Sequence, residues 1–279
     1  MVKSPATAQL IAIFGGNGFV GKHLQAKLNA SKKNFAVFEG DILDVERLET
    51  FFSQNKPQII INLATKFFGS EDELFASNIL TTKAICECAI KHKAQKMIYT
   101  STGAALGEPL AEVSYETDPR IPNTYYGLTK AIGEEIVEYT ARSAKLSHSI
   151  LRFPNVYGPG SEKGVIYAML KDALQKEEVT IQGDGSAARN FLHVSDAADS
   201  IMLAIDSDKS GIFHITNQQK VTVKEIAEQL HEKYDAKITS TAQVNNLKSL
   251  LLDDKKAEKE LGFTAKKKVI DWDELRKSI

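Results

Sequence analysis

Only two of the 279 residues are cysteine, so no disulfide framework carries this fold. Cys86 and Cys88 lie two apart on a helix-patterned stretch, where neighbouring side chains point in different directions and cannot easily bridge. They read as buried apolar thiols, and no metal is implied. Long apolar runs are missing too. Nothing approaches the ~20 residues of a membrane span, and the first ten residues lack the apolar core of a secretory signal. A cytoplasmic location without membrane contact is the expectation. Charge of one sign is also lacking, with 35 Lys and Arg against 36 Asp and Glu. No global field therefore recruits nucleic acid, and an anionic ligand must be held locally. Internal repeats and low-complexity linkers are absent, and the chain is long enough for a large core.

What is present is organised around Gln9 to Gly21. Leu10, Ile11, Ile13 and Phe14 form the near-continuous apolar run of a strand buried on both faces. Gly15, Gly18 and Gly21 punctuate the turn after it. They allow a tight reversal, a close approach of backbone to a diphosphate, and close packing of helix on strand. Asn17, Phe19 and Val20 line that turn, and free N–H groups at the helix start face an anion.

Strands and helices then alternate. The periodicity predicts a helix to about Asn29, a short strand over Phe35 to Phe38, a helix over Glu46 to Gln54 and a strand over Gln58 to Leu63. One helix over Leu74 to His92 and a strand over Lys96 to Thr100 come next. Pro109, Pro119 and Pro122 break the subsequent stretch, before a helix over Tyr126 to Ser143 and a strand over Ser147 to Arg152. Such alternation predicts an α/β fold, a Rossmann-type doubly wound parallel sheet whose ligands sit at the carboxyl ends of the strands. Asp41, Ala64 and Thr102 fall at such ends. Beyond Gly160 the alternation loosens. Helices over Val165 to Gln175, Val194 to Ile205 and Val223 to Tyr234 alternate with strands near Val179 and Ile212, and a charged, solvent-facing helix spans Asp253 to Leu261. A dinucleotide-binding domain over 1–160 and a smaller, interleaved substrate lobe over 161–279 are expected, with about 190–210 returning to the first.

Tyr126 and Lys130 lie four apart, on one helical face. In isolation such a pair is most often a surface feature. Behind a glycine turn and a strand-end Ser101-Thr102 it suits proton transfer beside a nicotinamide: an ammonium near the phenol lowers its pKa toward the working range. Thr102 can fix the direction of the same substrate oxygen.

Several segments occur together and in order: Gly15-x-x-Gly18-x-x-Gly21, Gly40-Asp41, Asn62-Leu63-Ala64, Ser101-Thr102, Tyr126 to Lys130, Arg152-x-x-Asn155 to Pro159, and Gly183 to Arg189. Over roughly Leu10 to Gly262 the chain resembles an extended short-chain dehydrogenase/reductase of the NAD-dependent epimerase/dehydratase type, enzymes of nucleotide sugars. The resemblance implies that Gly15, Gly18 and Gly21 cradle the cofactor diphosphate, that Asp41 and Ile42 border adenine, and that Leu63 and Ala64 floor the cofactor channel. It makes Thr102, Tyr126 and Lys130 the catalytic set, with Lys130 also on the cofactor ribose and Ser101 as a stand-in for Thr102. Asn155 and Arg189 are assigned to the substrate, Asn78 to a structural role, and a homodimer is implied through the helices carrying Glu87 and Glu135.

Departures from the family pattern bear on activity. The stretch between Gly21 and Asp41 is short for a full second strand ending in a ribose-binding acid. Glu39 can replace that acid, or Ser31, Lys32 and Lys33 can receive a 2′-phosphate, so the cofactor is NAD or NADP with a lean to NADP. Gly103 and Ala104 stand where family dehydratases carry an Asp-Glu pair, which disfavours loss of water, and Leu106 replaces a frequent tyrosine. The expected activity is reduction of a 4-keto-6-deoxyhexose on a nucleotide. A 4-epimerase with tightly bound NAD and a non-catalytic cofactor-binding sensor are the alternatives.

Overall fold

The computed structural model describes residues 9–242 and 248–279. Its centre is a six-stranded sheet in the order β10-β5-β4-β3-β1-β2. The strands are β1 (Ile11–Phe14), β2 (Phe35–Val37), β3 (Ile59–Asn62), β4 (Lys96–Thr102), β5 (Ser147–Phe153) and β10 (Gly211–His214). Every pairing is parallel. All residues of β1 and β3 are buried, as their unbroken apolar runs require. The chain leaves β1 to one side for β2 and crosses back for β3, so a crevice opens beyond the carboxyl ends of these strands.

Helices cover both faces. On one lie α1 (Phe19–Ala30), α7 (Val194–Asp206) and α9 (Lys255–Leu261), which close a core through Leu24, Leu28, Ile201 and Leu261. The other face carries α2 (Val45–Asn55), α4 (Thr81–Lys91) and α5 (Tyr125–Ala144), through Leu48, Phe52, Ile85 and Val137. The chain's return to the sheet therefore runs past 190–210, to β10 and α9. The helix α9 faces solvent through Lys255, Glu258 and Lys259, as its charges suggest, and buries Ala257 and Leu261 against the sheet side.

The smaller lobe has its own core, built from α6 (Val165–Lys176), β7 (Glu178–Gln182), α8 (Val223–Tyr234) and α10 (Trp272–Arg276), with β12 (Lys237–Thr241) paired on β7. Three two- or three-residue strands escape a sequence reading because they are too short for alternation to show: β6 (Asn155–Tyr157), β8 (Ala188–Arg189) and β11 (Val221–Thr222). The first pairs with β9 (Phe191–His193), and the other two pair with each other. The single helix expected from Leu74 to His92 is composite. A turn, α3 (Glu71–Leu74), capped by Ser70 and Glu73, leads into a π-helical segment over Phe75–Leu80 and then α4.

The glycine turn is as tight as its spacing suggests. A Cβ on Gly21 would stand 2.2 Å from the carbonyl oxygen of Gly16 and 2.7 Å from that of Gly15, both main-chain atoms that cannot yield cheaply. Gly21→Ala gains about 1 kcal/mol of helix propensity but overpacks this contact by about 1–3 kcal/mol or more. A net loss and a Tm lowered by several degrees are expected in a thermal melt. An unchanged or raised Tm would show that the turn can open.

Candidate active site

Gly15 ends β1 at φ +77°, and a Cβ there would lie 2.7 Å from the Ala64 nitrogen, so only glycine lets the chain turn this close to the end of β3. The start of α1 has no side-chain cap and no acidic residue in its first turn. The Phe19, Val20 and Gly21 N–H groups thus remain for an external acceptor. A Cβ on Gly18 would touch only Gly15 O, at 3.2 Å, and Asn17 and Gly18 are exposed, so the outer side of the turn is open. These features fit a dinucleotide diphosphate. Leu63 continues the ladder by donating to Phe14 O at 2.9 Å, and the Ala64 N–H donates to the Asn62 side chain at 3.0 Å. Ile42 is half-buried against the α2 side of the core, and the exposed Asp41 accepts from the Leu43 N–H.

The second strand is short but present, and its first polar residue past the carboxyl end is the exposed Glu39. Lys32 and Lys33 lie at the opposite end of that strand, because Phe35 pairs with Ile11 at the start of β1. Lys33 there binds Asp206 at 2.5 Å. The sequence-based expectation that these lysines receive a 2′-phosphate is corrected: a β-strand separates them from the crevice.

Beyond β4, the Tyr126 hydroxyl is brought together with Thr102 and with Thr65. Burial pushes the phenol well above its ordinary pKa, and the two threonines pull it the other way. The lowered phenol pKa expected from the sequence is therefore not a property of the protein alone. Lys130 is 2% exposed, and burial lowers its pKa to about 7 against the opposing charge of Glu134. Its Nζ stands 4.1 Å from the centroid of the Tyr99 ring. Thr65 escaped the sequence reading. It is held by Asn78 of the π-helical segment, which also accepts from the Lys66 N–H at 2.8 Å and donates to Thr129 at 2.9 Å, so the loop after β3 is tied to α5. The Phe67 ring then leans over Tyr126, centroids 5.1 Å apart.

Ser101 is not a stand-in for Thr102. Successive strand residues face opposite ways, and the buried Ser101 hydroxyl donates to Glu134. Glu134 also accepts two hydrogen bonds from Arg152, at 2.9 and 2.7 Å, and one from Arg120 at 2.6 Å. Burial raises its pKa, but Arg152, Ser101 and Arg120 together hold it below the usual carboxylate range.

Arg189 is half-buried on β8, where one nitrogen donates to the carbonyls of Ala188 and Lys248 at 2.8 and 2.7 Å. From Lys248 the chain runs on to the end of β4, where Leu250 and Leu252 lie 3.4 Å from the place of a Cβ on Gly103. Ser114 clasps this strap through hydrogen bonds at 2.8 and 3.0 Å. The Leu250-Leu251-Leu252 run was the missed signal for it. Leu106 is buried, and Asn155 is exposed on β6. Cys86 and Cys88 are free, with burial raising both thiols to about 12.

Comparison with known proteins agrees with this geometry. The sequence profile of the NAD dependent epimerase/dehydratase family matches residues 11–216. A UDP-glucose 4-epimerase of Halalkalibacterium halodurans is 28% identical over 261 residues, 78% of each chain. A dTDP-D-glucose 4,6-dehydratase of Dictyostelium discoideum is 27% identical, covering 80% of this chain and 61% of that one. Among solved structures, UDP-glucose 4-epimerase of Thermotoga maritima with UDP-glucose superposes at a TM-score of 0.88 and 27% identity over 97% of both chains. The Thermus thermophilus UDP-glucose 4-epimerase, in complex with NAD, gives 0.85 at 24% identity over 97% of both, a likeness of fold. With the glycine cradle, the parallel sheet and the Tyr126 cluster inside the matched span, this chain belongs to the NAD-dependent epimerase/dehydratase family.

Proposed function

We propose that this chain is an NAD-dependent nucleotide-sugar 4-epimerase. The observation that carries this reading is the cluster of Tyr126, Thr102 and buried Lys130 at the end of β4, opposite a diphosphate cradle, with no carboxylate at Gly103 or Ala104 to remove water. Bound NAD would supply an acceptor for hydride. Tyr126 takes the proton of the sugar hydroxyl as the ring carbon is oxidised, and returns it as the carbon is reduced from its other face. Thr102 holds that oxygen in line, and the Lys130 ammonium favours the phenolate. Glu39 supports NAD over NADP: an acid past the second strand can accept from a ribose hydroxyl and repels a 2′-phosphate. It supports in turn a cofactor recycled within one turnover. Relatives named as UDP-glucose 4-epimerases make UDP-hexoses the first substrates to try.

The reductase of a 4-keto-6-deoxyhexose remains the second reading, favoured by the apolar wall of Phe67, Leu250 and Leu252, which suits a methyl group. A homodimer through α4 and α5 accords with the exposed Ile90 and Tyr139 there.

Denaturing the purified protein and identifying the released nucleotide separates these readings. Stoichiometric NAD is expected; an empty protein that consumes NADPH with a keto sugar would establish the reductase. Tyr126→Phe should lower kcat by about a hundredfold or more while NAD binding is kept. Full activity in that variant would remove Tyr126 from the chemistry. Arg189→Ala loses charge-assisted hydrogen bonds worth about 1.5–3 kcal/mol, so the KM for the nucleotide sugar should rise roughly tenfold or more with a smaller change in kcat. An unaltered KM would move the diphosphate site elsewhere.

A further inference from the structure

Lys130 brings an ammonium into the interior, and the usual partner for it is absent from reach. Glu134, one turn further along α5, has about four acceptor positions. Arg152 fills two, and Arg120 and Ser101 fill the others. The ammonium rests instead on the face of Tyr99, at 4.1 Å. That ring is wholly buried, and its hydroxyl meets no partner within ordinary hydrogen-bond geometry among the described residues, only the neighbouring Thr82 side chain pulling weakly on it, so the phenol oxygen does not by itself explain why an aromatic side chain stands here. Space for the ring is reserved from the other side. A Cβ on Gly133 would lie 2.2 Å from the Tyr99 hydroxyl oxygen, which makes the helix bare where the ring passes.

We propose that Tyr99 is a positioning residue for Lys130, its ring face holding the buried ammonium charged and in place one turn from Tyr126. The role of Lys130 in the site is taken from the function proposed above; the seat of its ammonium is a separate matter. The charged and titratable groups facing it are Glu134 and Tyr126 from its own helix and Tyr99 from β4. Arg152 of β5 and Arg120 of the loop before α5 are engaged with Glu134. Burial alone drives Lys130 toward its neutral form. The negative face of an aromatic ring attracts only the cation, so it raises the pKa of Lys130. The ring's share of the stability is present while Lys130 is charged and is lost as pH rises through its pKa; with that pKa lowered to about 7, the buried ammonium on balance costs stability, and the cost is relieved as pH rises above about 7.

Titrating the lysine side chains by NMR, in the purified protein carrying labelled lysine and with Lys130→Met to assign the signal, reads this directly. Tyr99→Phe keeps the ring and should leave the Lys130 titration where it is. Tyr99→Met and Tyr99→pentafluorophenylalanine should each lower it by about 0.5–1.5 pH units; the second keeps the shape and reverses the electrostatics of the face, so it reports even if the first folds poorly. An unmoved Lys130 titration in the fluorinated protein overturns the proposal. In the active enzyme, the alkaline limb of kcat/KM should move down by the same amount. If Lys130→Met is fully active, the proposed function fails, whereas the seat of the ammonium is still judged on the titration.

Discussion

The Glu134 carboxylate is the point on which the candidate-site end of the molecule depends. It is fully buried, and an isolated charge there would cost several kcal/mol. Two arginines and a serine saturate it, from β5, from the loop before α5, and from β4. Each donor comes from a different element, so satisfying one charge fixes the distances among all of them. Arg152 also reaches His214 on β10 at 3.3 Å; burial and the arginine charge hold that imidazole down to about 3, so its Nε2 accepts. The His214 N–H donates to Glu116, which pins the proline-broken loop a second time. That loop, through Ser114, clasps the strap from Lys248 to Asp253 over the end of β4. The irregular chain beside the candidate site is thus tied to this ionic cluster through Arg120, and to β10 and the strap through main-chain hydrogen bonds.

Burial, more than this cluster, sets the electrostatics of the residues above. Tyr126, Lys130 and Glu134 succeed one another at intervals of four along α5, one face of one helix. Burial moves the first two in opposite directions, the phenol upward and the ammonium down to about 7. Both shifts favour the neutral forms. Thr65 and Thr102 meet the phenol from the ends of two adjacent strands.

Position along one strand decides which charge reaches the crevice. Glu39 and Lys33 are six residues apart on either side of one strand. Because the strand is extended and parallel to β1, the acid comes out beside the glycine cradle and the lysine at the far edge, where Asp206 neutralises it. A strand of only three residues is enough to carry the acid to the cradle end.

The chain sequence by itself determined the alternation of strands and helices, the glycine turn, and the placing of Tyr126 and Lys130 on one face of a helix, because each is fixed by spacing within a few residues of chain. It left Ser101 and Thr102 interchangeable, although the pleat sends one to Glu134 and the other to Tyr126. The composite helix around Asn78, the turn of Arg189 toward the Lys248 carbonyl, the Leu250–Leu252 strap and the ring of Tyr99 beneath Lys130 were decided only in three dimensions. These contacts join residues dozens of positions apart, and they are selected by the need to pair or seat each buried polar group, a requirement that no local pattern of apolar and polar residues encodes.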